Sequence, residues 1–406
     1  MVLQVSNAEA LTEEIQTLVF LLWSKEWIYR EHKPELYFRI RSHEHKLKAV
    51  FRDWFHYPIY MGDGYVRLIK RPERRVLDPN PTHSLKYQMD FVLYACVLAF
   101  MEEKGEDQQF VLRELLESIK AYYPGGSDAI SWSDHGVRTS LIRVIKTLEQ
   151  ERLLLMFDRT IDQFRDSEDY DLLMQVSNGL RHVIRQTRVS LSEFSNMISL
   201  REAFHQEEIE EGMMCEQQIW RRLFAQGCLF LSELSHDEVI YAERHGLRMQ
   251  QKLEEVFQGV FLERYASTWI LVHDKPREGK SVYPAYNTHS HIVTAIGTHL
   301  RDRLDRGENW LNHRGYVALH AKDTFDLFVS VRRANQEHLA KSSLSDRALW
   351  EEVADYMKQL GLLKVINDEW IFSDALGRVA GEIVEEEVPP KEDVKRELET
   401  DQNWLF

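Results

Sequence analysis

The sequence predicts an α+β chain that is mainly helical and carries small β-hairpins. Two stretches lead to that reading. In "LWEEVADYMKQLGLLKVINDEWIFSDALGRVA", Leu349, Val353, Tyr356 and Leu360 fall on one stripe of a 3.6-residue period. Ser345 stands where an N-cap is wanted, Asp346 puts negative charge in the first turn, and Gly361 stands where a left-handed residue ends a helix. "LLKVI", the turn "NDE" and "WIF" then read as a hairpin. The second stretch lies about two hundred residues earlier, in "VRTSLIRVIKTLEQERLLLMFD". There Val137, Leu141, Val144 and Leu148 repeat the four spacings, and the chain again runs into an apolar strand, Leu153–Phe157. The match is one of supersecondary pattern, because the letters differ too much to prove duplication.

Upstream elements complete a winged helix in each copy. Before the first, Met89, Leu93, Cys96 and Phe100 form an apolar stripe, and "FVLRELLESIKAYYPGG" gives a second helix stopped by Pro124 and two glycines. Before the second, "HSHIVTAIGTHLRDRL" reads as a helix, "YVALHA" as a strand and "TFDLFVSVRRAN" as a helix. The expected architecture is therefore tandem winged-helix domains, over 81–185 and 281–385. Residues 1–80 read as a helical region with a hairpin, suited to dimerisation. Its helices are the amphipathic Leu11, Ile15, Leu18, Leu22 stripe and the long "PELYFRIRSHEHKLKAVFRDWF", opened by Pro34. Its hairpin is "YPIYMGDGYVRLIKRP". Residues 186–280 read as a helical middle region, polar over Ser192–Ala225 and Asp237–Phe257, followed by a strand in "YASTWILVHDK" and a loop in "PREGKSVYP". Residues 386–406 form an acidic tail. "EIVEEEVPPKEDVKRELETD" holds nine acidic and three basic residues. It reads as a solvated segment, or as a docking peptide through the terminal "NWLF".

Composition narrows the function classes. Of the 406 residues 44% are hydrophobic and 29% charged, an ordinary globular balance. The formal net charge of −15 excludes a protein that coats nucleic acid with its whole surface, but not a local basic patch. Cys96, Cys215 and Cys228 show no CxxC spacing and read as buried reduced thiols of a cytoplasmic protein. "LVFLLW", Leu18–Trp23, is too short to span a membrane. No phosphate-binding glycine loop and no HExxH motif occurs. His43 and His45, like His289 and His291, are two residues apart, which on a helix points them about 200° apart and prevents a shared metal. Glu207, Glu208, Glu210 and Glu211 read as a solvated helix face. No catalytic residue, metal or cofactor is expected.

The densest positive charge is "RLIKRPERR". Arg67, Lys70, Arg71, Arg74 and Arg75 can pair with DNA phosphates without reading bases; the alternative is a solvated loop. "GLRHVIRQTR" is a second basic stretch. The third helix of the first winged unit carries Arg143 and Lys146 on its expected exposed face and completes the DNA-contact set. The corresponding helix of the second carries Glu351, Glu352 and Asp355, which repel phosphates. A winged helix of that kind is better suited to holding a protein partner or a second copy.

The run "PELYFRIRSHEHKLKAVFRDWF … YVRLIKRP", then "RTSLIRVIKTLEQERLLLMFD", then "VYPAYNTHSHIVTAIGTHL", resembles the MukE-like subunits of the SMC complexes called Wadjet, of the second type. These belong to the KITE class, kleisin-interacting tandem winged-helix elements. The resemblance spans Leu18 to about Ala380 and rests on the order of patterned segments. It implies a non-catalytic, homodimeric, cytoplasmic and nucleoid-associated subunit acting in plasmid defence. Its implied partners are a kleisin-like subunit, a MukB-like SMC ATPase, and DNA bound weakly and without sequence preference. The chain is longer than the compact MukE subunits, so no kleisin-contact residue is carried over. The alternative is a homodimeric winged-helix transcription regulator. Against it, the first wing, Asp158–Asp169, has five acidic residues and two arginines.

Overall fold

The computed structural model describes residues 10–381, apart from 25–26, 63, 71–84, 158–159, 168–169, 178–179, 181–192, 195, 275–282, 284, 286, 309, 312–315, 337–343 and 367. The chain is mainly helical, and its described strands form four antiparallel sheets of three strands each. The loop "PREGKSVYP", apart from Tyr283, most of "GLRHVIRQTR" and the acidic tail lie outside the described residues.

All four sheets have one connectivity. Unit I runs α1 (Glu13–Ser24), β1 (Trp27–Tyr29), α2 (Pro34–Ser42), α3 (Glu44–Phe55), β2 (Ile59–Met61), β3 (Tyr65–Leu68). Unit II runs α4 (Gln88–Lys104), β4 (Gln109–Val111), α5 (Leu112–Tyr122), α6 (His135–Gln150), β5 (Leu154–Met156), β6 (Leu173–Val176). After α7 (Met197–Glu210), unit III runs α8 (Cys215–Gln226), β7 (Cys228–Phe230), a 3-10 turn (Leu231–Glu233), α9 (His236–Val256), β8 (Val260–Arg264), β9 (Thr268–His273). Unit IV runs α10 (Thr288–Asp305), β10 (Val317–His320), α11 (Ala321–Ala334), α12 (Asp346–Gln359), β11 (Leu363–Ile366), β12 (Glu369–Phe372), and ends with α13 (Leu376–Val379). In every unit the third strand lies between the first and the second.

Local chemistry sets the boundaries. Asp134 caps α6, its Oδ1 accepting from the Gly136 amide at 2.6 Å. Ser345 caps α12 as expected, accepting from the Ala348 amide at 3.2 Å. Both third helices then end alike. Arg152 (φ 58°) and Gly361 (φ 68°) are left-handed, and the Leu153 and Leu362 amides reach back to Leu148 and Met357 at 2.9 Å. The following strands also match: the Ser177 amide donates to Leu153, and the Ser373 amide to Leu362. Units II and IV thus share the bonds that end the third helix and start the hairpin, although their letters differ.

Four features differ from the sequence reading. The expected long helix from Pro34 breaks at His43, with φ −106° and ψ 15°, into α2 and α3. Phe110 and Val111, expected to open the second helix, instead join Gln109 in a strand that pairs with β6 and completes the second sheet. The segment expected as the first wing is not a polar loop over its whole length, since residues Ile161–Arg165 form a 3-10 helix that buries Ile161 and Phe164. The helical middle region carries a full three-stranded sheet.

The cores do not follow the units one to one. Unit II has its own, as does unit IV. Units I and III share one. Trp54 of α3 meets Trp220 of α8 at 5.1 Å and Phe257 edge-on at 4.9 Å, while Phe55 meets Phe224 at 4.8 Å. Each such side chain contributes about 1.5–3 kcal/mol by leaving water. Polar groups close the seam. The Gln217 side-chain amide donates to the carbonyls of Arg52 (3.0 Å) and Asp53 (3.2 Å), satisfying the end of α3.

Candidate nucleic-acid interface

The basic segment that follows unit I is the main candidate from the sequence. Arg67 lies inside β3, opposite Trp27 of β1, and is buried with its guanidinium 4.4 Å over the Trp27 ring. It is a wall of the sheet rather than a surface cation. Lys70 is exposed, and its Nζ donates to the Trp23 carbonyl at the end of α1. Arg71, Arg74 and Arg75 lie outside the described residues.

The third helix of unit II presents less free charge than its spacing implies. Arg143 and Lys146 are half-buried. Arg143 forks onto Asp90 of α4 at 3.0 and 2.8 Å, bonds Ser140 Oγ, and lies 4.9 Å over the Tyr87 ring. Asp90 is fully buried and also accepts from the Lys86 and Tyr87 amides. Burial pushes its carboxyl up, but Arg143, the Lys86 amide, Ser140 and the Tyr87 amide together hold it below the usual range. Lys146 pairs with Asp162, from the 3-10 helix Ile161–Arg165, at 2.7 Å. On α12 the acids sit as expected, with Glu351, Glu352 and Asp355 all exposed.

The cationic stripe that sequence reasoning missed lies on the third helix of unit I. His45, Lys48 and Arg52 fall at i, i+3 and i+7 of α3, all exposed. Lys48 pairs with Glu44 at 2.6 Å and Arg52 with its neighbour Asp53 at 2.7 Å. Exposed pairs of this kind contribute at most about 1 kcal/mol, so they bind the two cations only weakly. The signal was present in the sequence. Residues 10–75 hold 13 basic and nine acidic side chains, +4 in a chain of −15.

Two further buried charges are structural, and the first takes Glu208, with Glu207 buried beside it, out of the solvated helix face expected from the sequence. Arg221 of α8 forks onto Glu208 of α7 at 3.0 and 3.1 Å, donates to the Phe55 and His56 carbonyls, and lies 4.2 Å over Tyr57. It therefore ties α7 to both units of the shared core. Arg222 pairs with Glu238 at 3.1 Å, and Glu238 also accepts the Ser235 amide at the start of α9. A cleft of about 330 Å³ opens against unit III, walled mainly by Leu231, Val239, Ala242, Tyr265 and Trp269, with Glu243 and Arg264 as its charged members. Burial pushes the Cys96, Cys215 and Cys228 thiols up, away from the reactive thiolate. His43 faces Glu14 at 3.4 Å and His289 faces Glu352 at 3.0 Å. Among the described residues no three His, Cys, Asp or Glu side chains gather as a metal site, and no helix is long and apolar enough to cross a membrane.

The chain belongs to the family described as Protein of unknown function (DUF2398), whose model matches residues 20–382. No curated protein matches the chain.

Proposed function

We propose that this DUF2398 chain is a non-catalytic scaffold subunit of an SMC complex, built from winged-helix units, that binds a kleisin-like subunit and helps hold DNA in defence against plasmids. One observation carries the reading. The same helix–strand–helix–helix–hairpin order, with sheet order first–third–second, recurs four times. That order is the connectivity of a winged helix. A chain made of such units has the form of a scaffold. The third helices of units II and IV are poor groove readers, because Arg143 is committed to Asp90 and α12 faces outward with acids. This weighs against a sequence-specific regulator.

DNA contact falls to the basic end of the molecule, unit I and the segment after it. There Lys70, Arg71, Arg74 and Arg75 follow in sequence the unit that carries the stripe of His45, Lys48 and Arg52. Binding is expected to be weak, independent of sequence and steep in salt. Fluorescence anisotropy across a salt series tests this on the full chain. Replacing Lys70, Arg71, Arg74 and Arg75 with alanine should lower the log–log slope by about 0.9 for each phosphate left without its cation, equally on unrelated duplexes. Replacing Glu351, Glu352 and Asp355 with alanine should leave the slope unchanged. An unchanged slope in the first variant, or a loss of binding in the second, overturns the assignment. The scaffold role is tested by co-expression with the products of adjacent genes. Failure to co-purify with an SMC-type ATPase or a kleisin-like protein encoded there would sink it.

A further inference from the structure

Units I–II and III–IV are equivalent halves. Each half has the same connectivity twice over. Each also has a comparable internal joint, in which the first strand of the leading unit, by its last residue in one half and its first in the other, reaches the end of the third helix of the following unit. In the first half, the Tyr29 hydroxyl of β1 donates to the Glu151 carbonyl at 2.5 Å. In the second, the Cys228 thiol of β7 donates to the Gly361 carbonyl at 3.2 Å. Glu151 caps α6, and Gly361 follows the cap of α12, so the two bonds fall within one residue of the same place. The two leading units, I and III, meet in the shared core. Its seam includes the Trp54–Trp220 contact, the Gln217 bonds to the end of α3, and the Leu11 amide bond to the Val256 carbonyl at 3.0 Å.

We infer that the chain is an internal dimer: unit III occupies the surface through which unit I would otherwise meet a second copy. Two tandem pairs face each other through their leading units, as two short chains would in a homodimer. The difference is that here one chain supplies both. The self-association surface expected from the sequence at residues 1–80 is filled by residues 215–273 of the same molecule. The protein is therefore a monomer. Its two halves, unlike those of a homodimer, are free to carry different charge. The leading unit of the first half, taken with the segment that follows it to Arg75, is basic, and the third helix of unit IV in the second is acidic.

The test uses the full chain. Light scattering coupled to size exclusion should give a mass near 48.1 kDa up to tens of micromolar. A mass near twice that value overturns the inference. A protease site placed within 181–192, which link the halves, then asks what holds them. After cleavage the fragments should co-elute at the intact mass and separate only in denaturant. Fragments that part in plain buffer overturn the inference. The same cleavage in Trp220→Ala should yield fragments that separate at protein concentrations where the cleaved parent stays whole. Fragments of that variant that hold together as tightly as the parent's show that the shared core is not the bond, and likewise overturn it. Uncut Trp220→Ala, checked by circular dichroism, separates loss of pairing from loss of fold.

Discussion

The joint between units I and III and the joint between units III and IV are made of opposite materials. The first is a cluster of aromatic rings, Trp23, Trp54, Phe55, Trp220, Phe224 and Phe257, in one continuous core. The second is largely a row of polar contacts. Lys364 pairs with Glu233, Arg378 with Glu263 at 2.7 Å, the Ser267 amide donates to Asp374 at 2.7 Å, and Cys228 donates to Gly361. Behind that row Tyr265 and Ile270 of unit III pack against the core of unit IV. Units far apart in sequence are thus fused, and units adjacent in sequence are docked. A covalent neighbour is held nearby by the chain itself and needs little surface to stay. A distant unit stays only through its burial, because closing the intervening loop costs entropy.

The sharpest way to break the contrast is Trp220→Ala. It should cost about 3–5 kcal/mol, as large-to-small changes in packed cores do, and units I and III should melt together. Urea unfolding followed by hydrogen exchange in both units checks this; loss of protection in unit III alone would refute a common core.

Glu216 gives a middle-sized test. It accepts from Tyr241 at 2.8 Å and pairs with Lys252, whose ammonium lies 4.7 Å over the Trp54 ring of unit I. Burial pushes its carboxyl up, but Lys252, Tyr241 and Trp220 hold it below its ordinary 4.5. A depressed carboxylate contributes stability that is present above its unfolded value and lost as pH falls through the folded one. Glu216→Gln should therefore cost about 1.5–3 kcal/mol at pH 7. The gap to the parent should narrow below pH 4.5. Parallel unfolding curves at every pH would contradict the pairing.

The smallest effect belongs to the docked joint. Lys364→Ala should cost no more than about 1 kcal/mol, and less in high salt. A destabilisation as large as that of Trp220→Ala would erase the distinction between the joints.

What the sequence disclosed follows from these physics. Units II and IV were legible because their third helices carry four apolar positions at full helical spacing and run straight into hairpins. Units I and III were not. In unit III the second helix is a single 3-10 turn, Leu231–Glu233, too short for any period. In unit I the break between α2 and α3 falls at His43, with no glycine or proline to mark it, and β1 is three residues long. The candidate site was legible by residue type alone. Spacing put Arg143 and Lys146 on one helix, but their partners, Asp90 and Asp162, come from other elements and appear only when the chain is folded.

One detail of the docked joint bears on how this chain can change over generations. A Cβ built on Gly361 would fall within the side chain of Cys228, whereas the Cys228 Cα stands 3.6 Å away. Alanine at 228 would not make room; only glycine there would. Position 361 can therefore acquire a side chain only in a lineage where position 228 has already lost its own. Arg152, at the matching place in unit II, carries a full side chain in the same left-handed turn. The two halves thus drift under different rules, the second bound by a two-step order of substitutions from which the first is exempt.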